Sequence, residues 1–201
     1  MGYGFVICEY NDVKSYFPEF KNVMDLLRTN LVAKATAKWS PLTNGGLYPK
    51  SGQFGQTPIF PELFRSGTNS LPAITTLTTW EQWFTATGNQ TIMSGSNVGA
   101  IYEDYMIGIC GIAFLDKAIR IAEIRMQISD KKLPRINIEE CMAYNQPAIV
   151  FEEGYIIDEE TGFDLYAYVL SQGPQRIKLI GLELNAVPNK VQVSNPGAAL
   201  T

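Results

Sequence analysis

The chain has 201 residues, of which 46% are hydrophobic and 18% charged, a composition that can build a packed core and excludes wholesale disorder. It carries a formal net charge of −4 and no histidine, which removes Ser–His and Cys–His nucleophilic pairs and disfavours a general electrostatic grip on nucleic acid. Seven Lys/Arg meet six Asp/Glu in residues 1–100 and nine meet fourteen in residues 101–201, so the acidity belongs to the second half.

The opening MGYGFVICEY lacks the basic flank and small-residue cleavage site of a secretory signal. Gly2 is a weak match to a myristoylation motif, because Val6 stands where serine or threonine is required. No run of eighteen apolar residues predicts a membrane-spanning helix.

Residues 12–38 read as helical. Pro18 suits a first helical turn, and Phe20, Val23, Met24, Leu27 and Leu31 then recur as one apolar stripe. Lys14, Lys21 and Arg28 fall seven apart and would form a basic row beside it, although Pro18 would interrupt a helix reaching back to Lys14. Two roles compete for the stripe. It packs on a β domain or a neighbouring subunit, or it lies on an anionic membrane with the basic row among head groups.

Residues 39–74 are dense in Pro, Gly and Asn and predict an extended arm with turns. Its aromatics Trp39, Tyr48, Phe54, Phe60 and Phe64 carry more apolar surface than a solvated linker needs, so the arm is expected to lie along its own domain or another copy.

From Thr75 onward the period is mainly two. Strand composition runs through Leu77–Thr87, a turn at Gly88-Asn89 precedes Thr91-Ile92-Met93, and Ile101–Phe114 forms a long strand or strand pair in which glycines permit bending. The apolar parity of Ile119–Ile128 shifts between Ile121 and Ile124, which predicts a β-bulge near Ala122-Glu123. Further strands follow at Ile136–Ile138, Ala148–Phe151, Tyr155–Ile157, Phe163–Val169 and Arg176–Val187. Turns at Asn145–Pro147, Glu153-Gly154, Thr161-Gly162 and Gln172–Pro174 separate them. Such spacing predicts two packed antiparallel sheets in residues 75–190, preceded by a helix and arm in 1–74 and followed by a tail in 191–201.

Chemistry-bearing residues are sparse. Cys8, Cys110 and Cys141 do not supply a zinc set; Cys110 reads as a buried small hydrophobe, and a Cys110–Cys141 disulfide stays open. Glu152, Glu153 and Asp158-Glu159-Glu160 concentrate carboxylates that could serve acid-catalysed hydrolysis or calcium. Their place between two strands reads first as a solvated acidic turn. No catalytic, metal or cofactor residues are therefore assigned. Trp80 and Trp83 with Tyr102 and Tyr105 are the candidates for a ring-stacking ligand platform, with core or subunit packing as the alternative.

The stretch PAIVFEEGYIIDEETGFDLYAY from Pro147, followed by QRIKLIGLEL from Gln175, resembles the closing strands of jelly-roll coat proteins of tailless icosahedral viruses, including those of archaea and thermophilic bacteria. The resemblance covers about the final half of the chain and rests on pattern. It implies a non-enzymatic, self-assembling capsid subunit without cofactor, located in the virion and in host cytoplasm before assembly. Its partners would be further copies, other virion proteins and an internal membrane, with no specific nucleic acid and no small-molecule substrate. Lys14, Phe20, Lys21, Leu27, Arg28, Trp39, Phe54 and Phe60 would then make subunit or membrane contacts, and deleting residues 1–38 would leave a folded domain unable to assemble. The alternative from another class is a carbohydrate- or receptor-binding β-sandwich working through the Trp/Tyr platform.

Overall fold

A computed structural model describes residues 4–14, 18–39, 55–59, 79–94, 101 and 105–185. The chain begins with strand β1 (Phe5–Glu9), a short helix α1 (Tyr10–Lys14) and a long helix α2 (Pro18–Lys38). Eight strands of an antiparallel sandwich and two short edge pieces follow: β2 (Gly55–Thr57), β3 (Trp80–Phe84), β4 (Gly88–Ser94), β5 (Tyr105–Phe114), β6 (Ile121–Ile128), β7 (Lys131–Lys132), β8 (Ile136–Asn137), β9 (Pro147–Ile157), β10 (Phe163–Val169) and β11 (Gly173–Asn185). A 3₁₀ turn at Glu139–Ala143 leads into β9.

The larger sheet runs β1-β9-β5-β11, and the far edge of β11 is shared by β3 along Gly173–Ile177 and by β2 along Glu183–Asn185. The smaller runs β4-β10-β6, with β7 and β8 dividing the far edge of β6. Every long strand from β3 onward crosses to the sheet opposite its predecessor, and the two orders β3-β11-β5-β9 and β4-β10-β6-β7/β8 make a jelly roll. This crossing gathers the β3–β4, β5–β6, β8–β9 and β10–β11 connections at one end.

Side-chain parity builds the core. Ile107, Ile109, Ile112 and Phe114 of β5, Ile149, Phe151 and Ile157 of β9, and Ile177 and Leu179 of β11 face Ile121, Ile124, Met126, Leu165, Ala167 and Val169 from the other sheet. The opposite parity of the larger sheet is also apolar: Met106, Cys110, Ala113, Ala148, Val150, Ile180, Leu182 and Leu184 lie under the N-terminal segment. That explains why β5 reads as an almost unbroken apolar run. A sheet covered on both faces has no polar parity.

The bulge predicted near Ala122 is present: Tyr168 opposes Glu123 and Val169 opposes Ile121, so Ala122 is the extra residue. Strand β10 has the predicted limits, Phe163–Val169. Two predicted turns, Glu153-Gly154 and Gly88-Asn89, lie wholly in strands. Glu153-Gly154 lies inside β9, where the pairing with β5 skips from Tyr155 to Val150, and the amide of Glu152 donates instead to the carbonyl of Gly4. Gly88 and Gly173 begin strands, and each has a positive φ at the strand entrance, 90° and 126°.

Helix α2 packs within the domain. Phe20, Leu27, Leu31, Ala35 and Trp39 are buried against the outer face of the larger sheet. Leu27 sits over two backbones without side chains: a Cβ at Gly108 would come within 3.0 Å of its Cδ1, and one at Gly154 within 2.5 Å. The predicted stripe is therefore real, and of its two roles the described structure shows packing on the chain's own sheet. A cut after residue 38 would remove β1 from the edge of β9 and uncover this apolar face, so the helix is not a detachable arm.

Candidate functional site

The helix residues expected to make outside contacts divide into two sets. Phe20, Leu27 and Trp39 are consumed by internal packing, whereas Lys21 and Arg28 are exposed. Lys14 ends α1, and Phe54 and Phe60 lie outside the described residues. The last turn of α2 meets the acidic turn between β9 and β10. Asp158 receives Lys34 and Lys38 at 3.1 Å each, Lys38 also reaches Glu159 at 3.0 Å, and the Trp39 indole N–H donates to Glu159 at 3.2 Å.

This ion cluster clarifies the carboxylates. Burial by itself raises the Asp158 carboxyl, but hydrogen bonds and charge from Lys38 and Lys34 outweigh it and hold the group below its ordinary 3.8. A general acid needs the opposite shift. Glu152 and Glu153 are exposed at the β9 irregularity. Among the described residues no group of three or more metal-capable side chains comes together. The acidic cluster thus fastens the helix to the sandwich.

The proposed Trp/Tyr platform is not assembled. Trp80 registers with Ile177 and Trp83 with Pro174, near the start of β11, while Tyr105 registers with Asn185 at its end. Eight residues of strand separate Ile177 from Asn185, roughly 26 Å at the strand rise. Tyr105 packs against the sandwich core, Tyr102 lies outside the described residues, and Trp83 is exposed at 57%.

The cysteines are free thiols on different layers. Cys110 belongs to the helix-covered face, where it donates to the carbonyl of Ile180 at 3.4 Å, and Cys141 belongs to the sandwich core. Burial pushes both thiols up to about 12. No Cys110–Cys141 bridge forms across the sheet.

Two surfaces remain with unassigned recognition capacity. The first is the end of the jelly roll that carries four connections. Six large apolar side chains are exposed among the described residues, and three of them are at this end: Met142 in the β8–β9 connection, Leu170 in the β10–β11 connection, and Trp83 one residue before the end of β3. The second is the outer face of the smaller sheet. Register places Asn89, Tyr168 and Glu123 side by side across three strands, and Thr91, Tyr166 and Arg125 in the neighbouring row. A groove of about 160 Å³ runs over these rows, bordered by Lys132 and Arg135. The alternation of Tyr166 and Tyr168 with Leu165 and Ala167 was the available signal for this face; the pairing of β10 with β4 and β6 was not.

No family model matches the chain, and no curated protein matches it. Among solved structures, one similar chain is the CBM36-1 domain of a multidomain xylanase from the hindgut metagenome of Trinervitermes trinervoides. It has 10% identity, covers 65% of this chain and 97% of that domain, and has a TM-score of 0.26.

Proposed function

We propose that the chain is a non-catalytic structural subunit that self-assembles into a shell, as jelly-roll coat proteins do, with the four-connection end of the sandwich as its principal contact. The observation that carries this reading is the placing of Trp83, Met142 and Leu170 at that end, three of the six large apolar side chains exposed among the described residues. Solvent-exposed side chains of that size lose favourable free energy until a partner covers them, about 1.5–3 kcal/mol each at full burial. A contact between this end and a different surface of the next copy is heterologous, and heterologous contacts propagate into rings or open filaments. The tying of Asp158 and Glu159 to the helix gives a hydrolase reading no support. The role suggested for α2 changes accordingly: it stiffens the subunit, and its exposed Lys21 and Arg28 are too few for firm binding to an anionic membrane.

Light scattering across a concentration series, followed by electron microscopy, tests the reading. Growth from discrete oligomers to shells or sheets is expected, and a Trp83→Ser/Leu170→Ser variant should stay small with an unchanged circular dichroism spectrum. A wild-type chain that remains monomeric at every concentration, or a variant that assembles as the wild type does, would overturn it.

A further inference from the structure

The outer face of the smaller sheet carries a second recognition surface that the shell reading does not use. Its groove holds three cations and one anion: Arg125, Lys132, Arg135 and Glu123. Glu123 is engaged by Arg135 at 3.2 Å. Arg125 donates its Nε to the carbonyl of Leu133 at 3.0 Å, which fixes the guanidinium plane. Among the described residues nothing takes up its terminal nitrogens or the Lys132 ammonium. The groove is therefore locally positive on a chain of net charge −4.

Two phenol rings complete it. Tyr166 donates its hydroxyl to Asp164 at 3.3 Å, and Asp164 is itself buried, so this ring has a fixed setting. Tyr168, one position along the same parity, is 44% exposed. An exposed tyrosine face offers an apolar plane with a polar rim, which suits the C–H face of a pyranose ring. A fixed guanidinium with free terminal nitrogens suits a carboxylate, which it can bind through two parallel hydrogen bonds. The volume of about 160 Å³ is below the ~300–1,000 Å³ of pockets that take drug-sized ligands, and so fits one ring.

We propose that this groove binds a carboxylated saccharide of the uronate type, with Tyr168 under the sugar ring and Arg125 and Lys132 on the carboxylate. The acidity of the surrounding half-chain opposes an extended polyanion such as nucleic acid, which would need many cations along its track. A single carboxylate on a neutral, ring-shaped body needs only the two that stand free.

The test is an NMR titration of the full chain with glucuronate, glucose and inorganic phosphate as separate probes. Glucuronate should shift the amides of residues 89–91, 123–125 and 166–168 in a saturable way. Glucose should bind at least about tenfold more weakly, because it lacks the partner for a charged hydrogen bond. Lys132→Gln, at an exposed side chain with no described partner, and Tyr168→Ala should each weaken glucuronate binding severalfold at unchanged unfolding midpoint. Glu123→Gln should strengthen it by removing the like charge. The proposal is overturned if glucuronate produces no saturable shift, if glucose binds equally well, if Lys132→Gln has no effect, or if phosphate competes at equal concentration and reveals a general anion site.

Discussion

The packing of α2 on the larger sheet predicts a large and specific response to Leu27→Ala. Leu27 is 2% exposed and rests on Gly108 of β5 and Gly154 of β9. Leucine-to-alanine changes in cores cost about 2.7–5.0 kcal/mol, and the cost is highest where the surroundings cannot collapse. Here the floor includes Gly108, strand backbone paired with β9 on one side and β11 on the other, so the upper part of that range, about 4 kcal/mol, is expected. With a typical slope near 2 kcal/mol per molar urea, the midpoint should fall by about 2 M. Leu26, its neighbour in sequence, is 56% exposed, and Leu26→Ala should stay within about 0.5 kcal/mol. The floor can be tested from the other side. Gly154→Ala should cost about 1–3 kcal/mol by overpacking, and combining it with Leu27→Ala should be less harmful than the sum, since the new methyl enters the vacated space. Urea unfolding followed by circular dichroism reads all four variants. Equal small effects at Leu26 and Leu27, or strict additivity of the pair, would refute the seating of the helix on this sheet.

Other expectations follow from the same geometry. The Asp158 carboxyl is held below its ordinary 3.8, so its contribution is present above that value and is lost as pH falls through the lower folded value. The stability gap between wild type and Asp158→Asn should therefore narrow as pH falls below about 4 in urea melts, and a gap that does not narrow on acidification would contradict the ion cluster. Lys38 has the opposite sign: burial lowers it, but Glu159 and Asp158 raise it above 10.5 overall, so its contribution holds below that value and fades as pH rises through the folded one. Iodoacetamide at about pH 8 should leave Cys110 and Cys141 unmodified in the native chain and modify all three cysteines in denaturant, as mass spectrometry would show. Gly181→Ala should cost more than about 4 kcal/mol, because a Cβ there would run into the carbonyl oxygen of Gly108, a backbone atom that cannot rotate away. Soluble protein with a wild-type melting curve would show that the register of β11 on β5, which shifts between Ile180 and Gly181, is different.

The sequence determined those features whose cause is local. The alternation in Phe163–Val169 needs only a two-residue period to set a strand and its inward face, and the parity shift after Ile121 needs only one extra residue to demand a bulge. Pro18 and the stripe from Phe20 to Leu31 define the start and apolar side of α2 in the same way. What covers that stripe was decided by tertiary structure, because an apolar helix face looks the same whether a sheet, a neighbour or a lipid surface receives it. The deciding residues are Ala113, Ala148, Val150 and Ile180, the outward parity of strands far along the chain, together with two glycines that leave room for Leu27. Strand β1 was missed because five residues at a sheet edge carry little periodic signal before their partner β9 is known.

The candidate sites divide in the same way. Trp80, Trp83 and Tyr105 are close enough in sequence and chemistry to suggest one platform, yet antiparallel register sends them to opposite ends of β11. Asn89, Glu123, Arg125 and Tyr168 share no motif and are brought together because β10 pairs with β4 on one side and β6 on the other. Local periodicity fixes which face a side chain takes; only long-range strand pairing fixes its neighbours, since pairing energy comes from partners that the intervening sequence does not name.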